Sequence, residues 1–404
     1  MFMNLKGKRL LILGAGRGQV GLYRAARDMG ITTIAGTMPD NNPPCIPLAD
    51  EVCYMNILDP DEVESRTADL QFDGVATCCL DRGLRALGRL CDKRSLPGYS
   101  ESTAMLCADK LAMKRRLMEH GVNTAEYAEV ATVEELKRAI DTIGGYPVII
   151  KAVDLAGSMG INKAFNEEEA VEGFKKSMEA TRRDFVIAER LLQGREFGAQ
   201  AFITDGKLLF VMPHGDILYH GSTDVPVGHY VPFDCPARMT DSIAVETEKA
   251  IKALGLDNCA VNIDFIEENG KIYVLELSGR IGANGLPEVV SAHFGIDYYR
   301  MAVLAALGMS VKELWDKRDG NEAAMSSMVI SPDNEGTLKS IEYIGNRNPD
   351  GVFEINLFAR PGSHVSRFSN SSHCLGQIVA VGKNVRECRK TIDEVTKNLN
   401  IIIE

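Results

Sequence analysis

A chain of 404 residues, 45% apolar and 25% charged, is longer than one hydrophobic core ordinarily serves, so two or three domains sharing a cleft are expected. The formal net charge of -11 excludes nucleic acid and an anionic membrane surface as main partners, because most of the molecular surface would repel them. No apolar run approaches the ~20 residues of a membrane span and the chain opens into a strand instead of a signal peptide, which sets the expectation of a cytoplasmic protein.

Leu10 to Leu13 reads as a strand, Gln19 to Met29 as a helix closed by Gly30, and Ile31 to Ala35 as a second strand. Between the first two lies "GAGRGQVG", a Gly16-x-Gly18-x-x-Gly21 turn in the place a dinucleotide fingerprint occupies. The second strand ends "TTIAGTMPDNNPP", with no acid immediately poised for a ribose. Asp59-Pro60-Asp61-Glu62 opens another helix with an Asp cap and Pro at the first helical position, and Gly74 to Cys79 is a further buried strand. That order predicts a small, parallel, doubly wound α/β sheet.

From Ser100, "STAMLCADKLAMKRRLMEHG" reads as one helix stopped by Gly121. Thr132-x-x-Glu135 and Asn166-x-x-Glu169 are cap-like helix starts flanking the strand "YPVIIKA" and the glycine loop "DLAGSMG". The strands "FVIAERL" and "FGAQAFITDGKLLFVMP" follow, the latter a pair turning at Asp205-Gly206, so the middle of the chain is α+β. After Ser310-x-x-Glu313 a third region begins and ends in the β-to-α stretch "GQIVAVGKNVRECRKTIDEVTKNL". Its "GQIVAVGKN" is a near miss for a phosphate loop, with Asn where Ser or Thr should meet magnesium. Ten cysteines without any C-x-x-C pair read as reduced, buried small hydrophobes.

The segment "VNIDFIEENGKIYVLELSGR", residues 261 to 280, carries the most chemistry. Two alternating apolar runs meet at Glu268-Asn269-Gly270, which predicts an antiparallel hairpin. A two-residue turn at Asn269-Gly270 places Asp264 opposite Leu275 and sends Asp264 and Glu276 to opposite faces. A three-residue loop with Gly270 as a bulge pairs Asp264 with Val274 and Asn262 with Glu276, so that Asn262, Asp264, Glu276 and Ser278 share a face with Arg280 beyond. Two neighbouring carboxylates on such an apolar ribbon need a cation to stay ionised, and magnesium, with its preference for hard oxygen ligands and phosphate, suits them.

In order along the chain, the spaced lysines, glycine loop, Glu-x-x-Leu and acidic hairpin resemble the ATP-grasp superfamily, as in biotin carboxylase, D-alanine–D-alanine ligase and carbamoyl phosphate synthase. The resemblance covers nearly the whole chain. It implies an ATP-grasp fold of mixed α/β and α+β class: an N-terminal Rossmann-like pre-ATP-grasp domain over 1–100, an ATP-grasp domain over 101–310 with a lid at about 115–190, and a small C-terminal α+β domain over 311–404. By position it implies Lys110 and Lys151 on the nucleotide phosphates, Ser158 in the mobile phosphate loop, Glu189 and Leu192 at adenine, and Glu196 on the ribose. Asp264 and Glu276 match the metal-binding acids, and Arg280 the arginine beside the transferred phosphoryl group and the substrate carboxylate. Ser278 stands where many members carry a metal-binding Asn, so a second ion would lean on water or on Asn284. Gly16 and its turn are expected to line the acceptor-substrate site instead of holding NAD.

His214, His220 and His229 cluster in "MPHGDILYHGSTDVPVGHYVP" without zinc-helix spacing. "VGHYVP" resembles a stretch of amino-acid-ligase-like relatives, which implies a substrate contact for His229. The implied activity is a carboxylate–amine ligase using ATP and Mg2+, with Mn2+ as a substitute, on small-molecule acid and amine substrates, and the expected assembly is a homodimer. A biotin-carboxylase-like or purine-pathway carboxylating enzyme and a nicotinamide-dependent oxidoreductase stand as alternatives.

Overall fold

A computed structural model of the chain describes residues 5–39, 43–155, 160–220, 224–320, 322–346, 349–370 and 373–404. The N-terminal strands β1 (Arg9–Leu13), β2 (Thr32–Thr37), β3 (Glu51–Tyr54) and β4 (Gly74–Ala76) form a parallel sheet in the order β3-β2-β1-β4. β1 and β2 are buried along almost their whole length, as strands of a parallel sheet covered on both faces are. The last strand stops at Ala76, three residues short of the expected Cys79, and the chain leaves it as a loop carrying Cys78, Cys79 and Asp81. Asp59 caps the helix Pro60–Arg66 by accepting from the N–H groups of Asp61 and Glu62.

One expected helix is two. Glu101–Ala108 and Lys110–Glu119 break at Asp109, whose extended backbone (φ -99, ψ 106) lets its carboxylate accept from Leu111 and Ala112 N–H. The aspartate is a stronger local cap than a helix-interior residue, and the break makes Lys110 the first residue of the second helix.

The second sheet, β5 (Tyr127–Val130), β6 (Val148–Lys151), β7 (Ile161–Ala164) and β8 (Val186–Arg190), runs β5-β8-β6-β7. Helices Val133–Thr142 and Glu167–Ala180 cover it, each capped as expected: Thr132 and Glu135 form a reciprocal capping box, and Asn166 accepts from Glu169 N–H.

The largest sheet joins β9 (Arg195–Thr204), β10 (Lys207–His220), β11 (Asp224–Val231), β12 (Cys259–Glu268), β13 (Lys271–Ser278), β14 (Ala324–Ile330), β16 (Val352–Leu357) and β18 (Gly376–Gly382) in the order β13-β12-β9-β10-β11-β14-β18-β16. A small sheet of β17 (His364–Val365), β15 (Gly336–Tyr343) and β19 (Leu399–Ile403) completes the chain's end. The inner residues of β9 and β12, Phe197, Ala199, Ala201, Val261, Ile263 and Phe265, pack on Ile243, Ile251 and Leu254 of the helix Ala237–Leu254. The alternate residues, Asn262, Asp264 and Glu196 among them, face the other way.

The hairpin register differs from both sequence expectations. Asn269 (φ 54) and Gly270 (φ 80) make a two-residue turn with both residues left-handed, the form whose twist matches the strands. A bulge then admits Leu275 as an extra residue, and the ladder resumes with Asp264 opposite Glu276 and Asn262 opposite Ser278. Asp264 therefore pairs with neither Leu275 nor Val274, and the bulge restores the shared face that the tight turn alone would have lost.

Candidate active site

On the open face of the hairpin, Asp264 and Glu276 are direct cross-strand neighbours. Burial and the charge of Glu276 push the Asp264 carboxyl well above the usual carboxylate range. Lys110 Nζ approaches Glu276 Oε2 to 3.7 Å and donates to Leu155 O at 2.9 Å, so the helix break at Asp109 aims it between the hairpin and the glycine loop. Ser158 and the rest of residues 156–159 lie outside the described residues.

Arg280 follows the hairpin and is gripped in a bidentate pair by Asp81, at 2.8 Å from Nε and 2.7 Å from Nη2. Ser278 lies near the same carboxylate, which Arg280 holds below its usual range against the effect of burial. Asp81 escaped the sequence reading. Its signal was position: it lies just beyond the C-terminal end of a parallel strand, where α/β sheets place their ligands.

A second cluster forms around Glu189 on β8. Its side chain is 1% exposed, with Oε2 at 3.0 Å from Lys151 Nζ and 3.3 Å from Lys114 Nζ. Burial opposes its ionisation, but the two lysines outweigh that and hold the carboxyl below its usual range. Lys114, 3% exposed, also donates to Thr124 Oγ1 at 3.0 Å. It too was missed; the available signal was its place one turn after Lys110, on the buried side with Leu111 and Leu117. Glu189 Oε1 is buried without a hydrogen-bond partner, and the other oxygen is taken by the lysines, so the side chain acts here through Lys151 and Lys114.

Leu192 belongs to an apolar patch with Ala125, Ile266 and Tyr273, against which Leu275 packs. Glu196 is exposed and pairs with Ile266 on the same face, which puts its carboxylate at the rim of that patch. His229 is buried on β11, its Nδ1 2.7 Å from Asp216 Oδ1. His214 shares that carboxylate at 3.1 Å, whereas His220 sits apart at the exposed end of β10.

The glycine turn opens on a cavity of about 600 Å³. Gly16, Arg17 and Arg24 line one side, Asn284 and Glu288 another, and Glu354 and Gln377 the side given by the chain's last third. Added side chains at Gly18 and Gly21 would meet Cys79 at 2.8 Å and the Tyr299 ring at 2.2 Å, so the close approach these glycines allow is to the protein itself.

Residues 108–217 match the phosphoribosylglycinamide synthetase ATP-grasp (A) domain family, and residues 328–404 match the L-amino acid ligase C-terminal domain 2 family. The crystal structure of phosphoribosylglycinamide synthetase from Anaerococcus prevotii is 45% identical, covers 98% of this chain and 100% of that one, and superposes with a TM-score of 0.88. L-amino acid ligase from Bacillus licheniformis shares the fold at 20% identity, with 99% of each chain covered and a TM-score of 0.82. The uncharacterized protein y4rH of Sinorhizobium fredii is 24% identical over 78% of this chain, which spans 65% of that relative's length. With 45% identity over the full length of one solved relative, the chain belongs to the ATP-grasp superfamily of carboxylate–amine ligases.

Proposed function

We propose that this chain activates a carboxylate with ATP as an acyl phosphate and joins it to an amine, releasing ADP and phosphate. The observation that carries this reading is the direct pairing of Asp264 with Glu276 beside Lys110 and Arg280. Hard oxygen donors, one of them pushed up in pKa by burial and by its neighbour, fit a magnesium ion, and Asp264 and Glu276 would hold it. When bound, magnesium supplies charge neutralisation at the terminal phosphate oxygens.

The side chains divide the remaining work. Lys110 and Lys151 offset phosphate charge, the Leu192 patch receives the adenine ring, and Glu196 meets the ribose hydroxyls. Arg280, pre-aimed by Asp81, steadies the anion as the phosphoryl group moves to the acid. The lid of about 115–190 keeps water from the acyl phosphate. The cavity beside the glycine turn takes the amine, where Glu288, bonded by Tyr299 at 2.7 Å, and Glu354 suit a cationic nitrogen. In this reading the chain works as three units, 1–100, 101–310 and 311–404.

A phosphoribosyl-bearing amine is the second reading, favoured by Arg17 and Arg24 on the cavity wall, where they would meet a phosphate. An ADP-release assay over carboxylic acids, with and without amino acids and phosphoribosyl amines, tests both. ADP that depends on acid and amine together supports ligation; bicarbonate-dependent ADP or an NADH change without ADP would sink it.

A further inference from the structure

β10 and β11 carry a three-residue cluster that nucleotide binding does not use. His214 and Asp216 alternate on β10, and His229 pairs with Asp216 across the ladder, so all three project from one face. Asp216 Oδ1 lies 3.1 Å from His214 Nδ1 and 2.7 Å from His229 Nδ1, and the two rings meet edge to face with centroids 4.9 Å apart. A carboxylate only accepts, so both Nδ1 atoms donate and each Nε2 of a neutral ring is left as an acceptor. Ligand atoms around a tetrahedral zinc would stand about 3.4 Å apart, wider than these contacts, and the hydrogen-bonded arrangement is the better description.

His214 is 2% exposed, and its Nε2 has no hydrogen-bond partner. Its direction is defined by the sheet. Glu276, Asp264, Gly198 and His214 stand in one lateral row across β13, β12, β9 and β10. A Cβ on Gly198 would come 2.6 Å from His214 Nε2, so that atom overhangs the glycine, on the side of the carboxylate pair. On the other flank His229 N donates to Ser327 Oγ, which donates to the carbonyl of Asn284, a residue of the cavity wall. The cluster thus lies between the acidic pair and the cavity. The charged and titratable groups facing His214 are Asp216 on its own strand, His229 on β11 and Asp264 beyond Gly198 on β12. Burial holds the His214 imidazole below its usual range despite Asp216, which keeps its lone pair available at neutral pH.

Resting on the ligase reading above, we propose that His214 accepts the proton released when the amine attacks the acyl phosphate, with Asp216 as its positioning residue. The nitrogen lone pair forms the C–N bond, the C–O bond to phosphate breaks with its electrons leaving on phosphate, and the nitrogen's proton passes to His214 Nε2. Asp216 retains the Nδ1–H and offsets the imidazolium charge.

The test compares the wild type with His214→Asn, His214→Gln and Asp216→Asn, using the acid and amine found by ADP release and hydroxylamine as an alternative acceptor. Hydroxylamine is weakly basic, stays unprotonated at neutral pH, and can give up its proton to water without an imidazole. Expected for His214→Asn is hydroxamate formation within about twofold of the wild type, while transfer to the amine falls about 100-fold and the acidic limb of its pH profile disappears. His214→Gln should behave alike, and unchanged melting temperatures would show both folded. In Asp216→Asn the limb should move to lower pH, because the anion that favours the imidazolium is gone. Amine transfer at the wild-type rate in both His214 variants, or equal loss of hydroxamate and amine product, would overturn the assignment and leave the ligase reading standing. A wild type that forms no hydroxamate with any acid would overturn both.

Discussion

Glu189 shows how far a single buried charge determines its surroundings. Its carboxylate holds Lys151 and Lys114 at 3.0 and 3.3 Å, and removing it would leave two lysines facing each other in a nearly solvent-free pocket. Glu189→Gln should therefore cost about 3–5 kcal/mol at pH 7, the usual penalty for leaving a buried ion uncompensated. The sign with pH follows from the depressed folded-state pKa. The stabilisation is complete above the unfolded carboxyl value of about 4.3 and is lost as pH falls through the lower folded value. Denaturant unfolding of both proteins from pH 7 downward should show the gap narrowing only below about pH 4.3. Glycine at 198 is a second residue with a defined reason: a methyl there would lie 2.3 Å from His214 Cε1. Gly198→Ala should displace that ring and lower amine transfer more than it lowers nucleotide affinity, read as kcat against the ATP KM. Of these residues, Glu189 was visible through its Glu-x-x-Leu context. Lys114 and Asp216 were not, because a buried charge leaves no mark in composition or period when its partners come from other elements.

The hairpin is the element on which the site depends, and only part of it could be read. Alternation and the Asn269-Gly270 pair identified an antiparallel ribbon, and both residues take the left-handed backbone such a turn demands. The register could not be read, since a bulge costs one residue of phase and nothing in "YVLEL" distinguishes Leu275 from its neighbours. Packing decides it: Leu275 joins Ile266 and Tyr273 beside Leu192, and Glu276 then falls opposite Asp264. Gly270 has a φ of +80 and open space where a Cβ would go, so its substitution tests backbone strain alone. Gly270→Ala should destabilise by about 1 kcal/mol with ADP formation retained, because Asp264 and Glu276 lie several ladder pairs from the turn. A loss of activity without loss of stability would mean that the register is set from the turn and not by packing around the bulge. The same limit applied to the helix expected after Ser100, where Asp109 overrode a continuous helical pattern by capping a new start.

At the scale of the molecule, the loops of the glycine-turn sheet, the segment that follows the hairpin and the C-terminal strands meet around a cavity. The doubly wound start and the β-to-α ending were legible as elements. That β14, β18 and β16 would extend the hairpin's own sheet through β11 was not, because the pairing of Val231 with Met325 spans segments far apart in sequence. Among the contacts that couple the N-terminal sheet to the site is a charged fork: Asp81, on the loop after β4, holds Arg280, on the loop after β13, beside the Cys79 N–H that donates to Ile281 O. If that pair acts as a unit, breaking either half should misplace the guanidinium by a comparable amount. Asp81→Asn and Arg280→Lys should each lower ADP formation on the order of 100-fold, and the double variant should fall little further, since the second change removes a contact already lost. Asp81→Asn should leave nucleotide affinity nearly unchanged, as the apolar patch around Leu192 that is proposed to receive adenine lies on other elements. Multiplying effects in the double variant would show that Asp81 and Arg280 serve separate steps, and that the N-terminal sheet contributes to the chemistry by some route other than the fork.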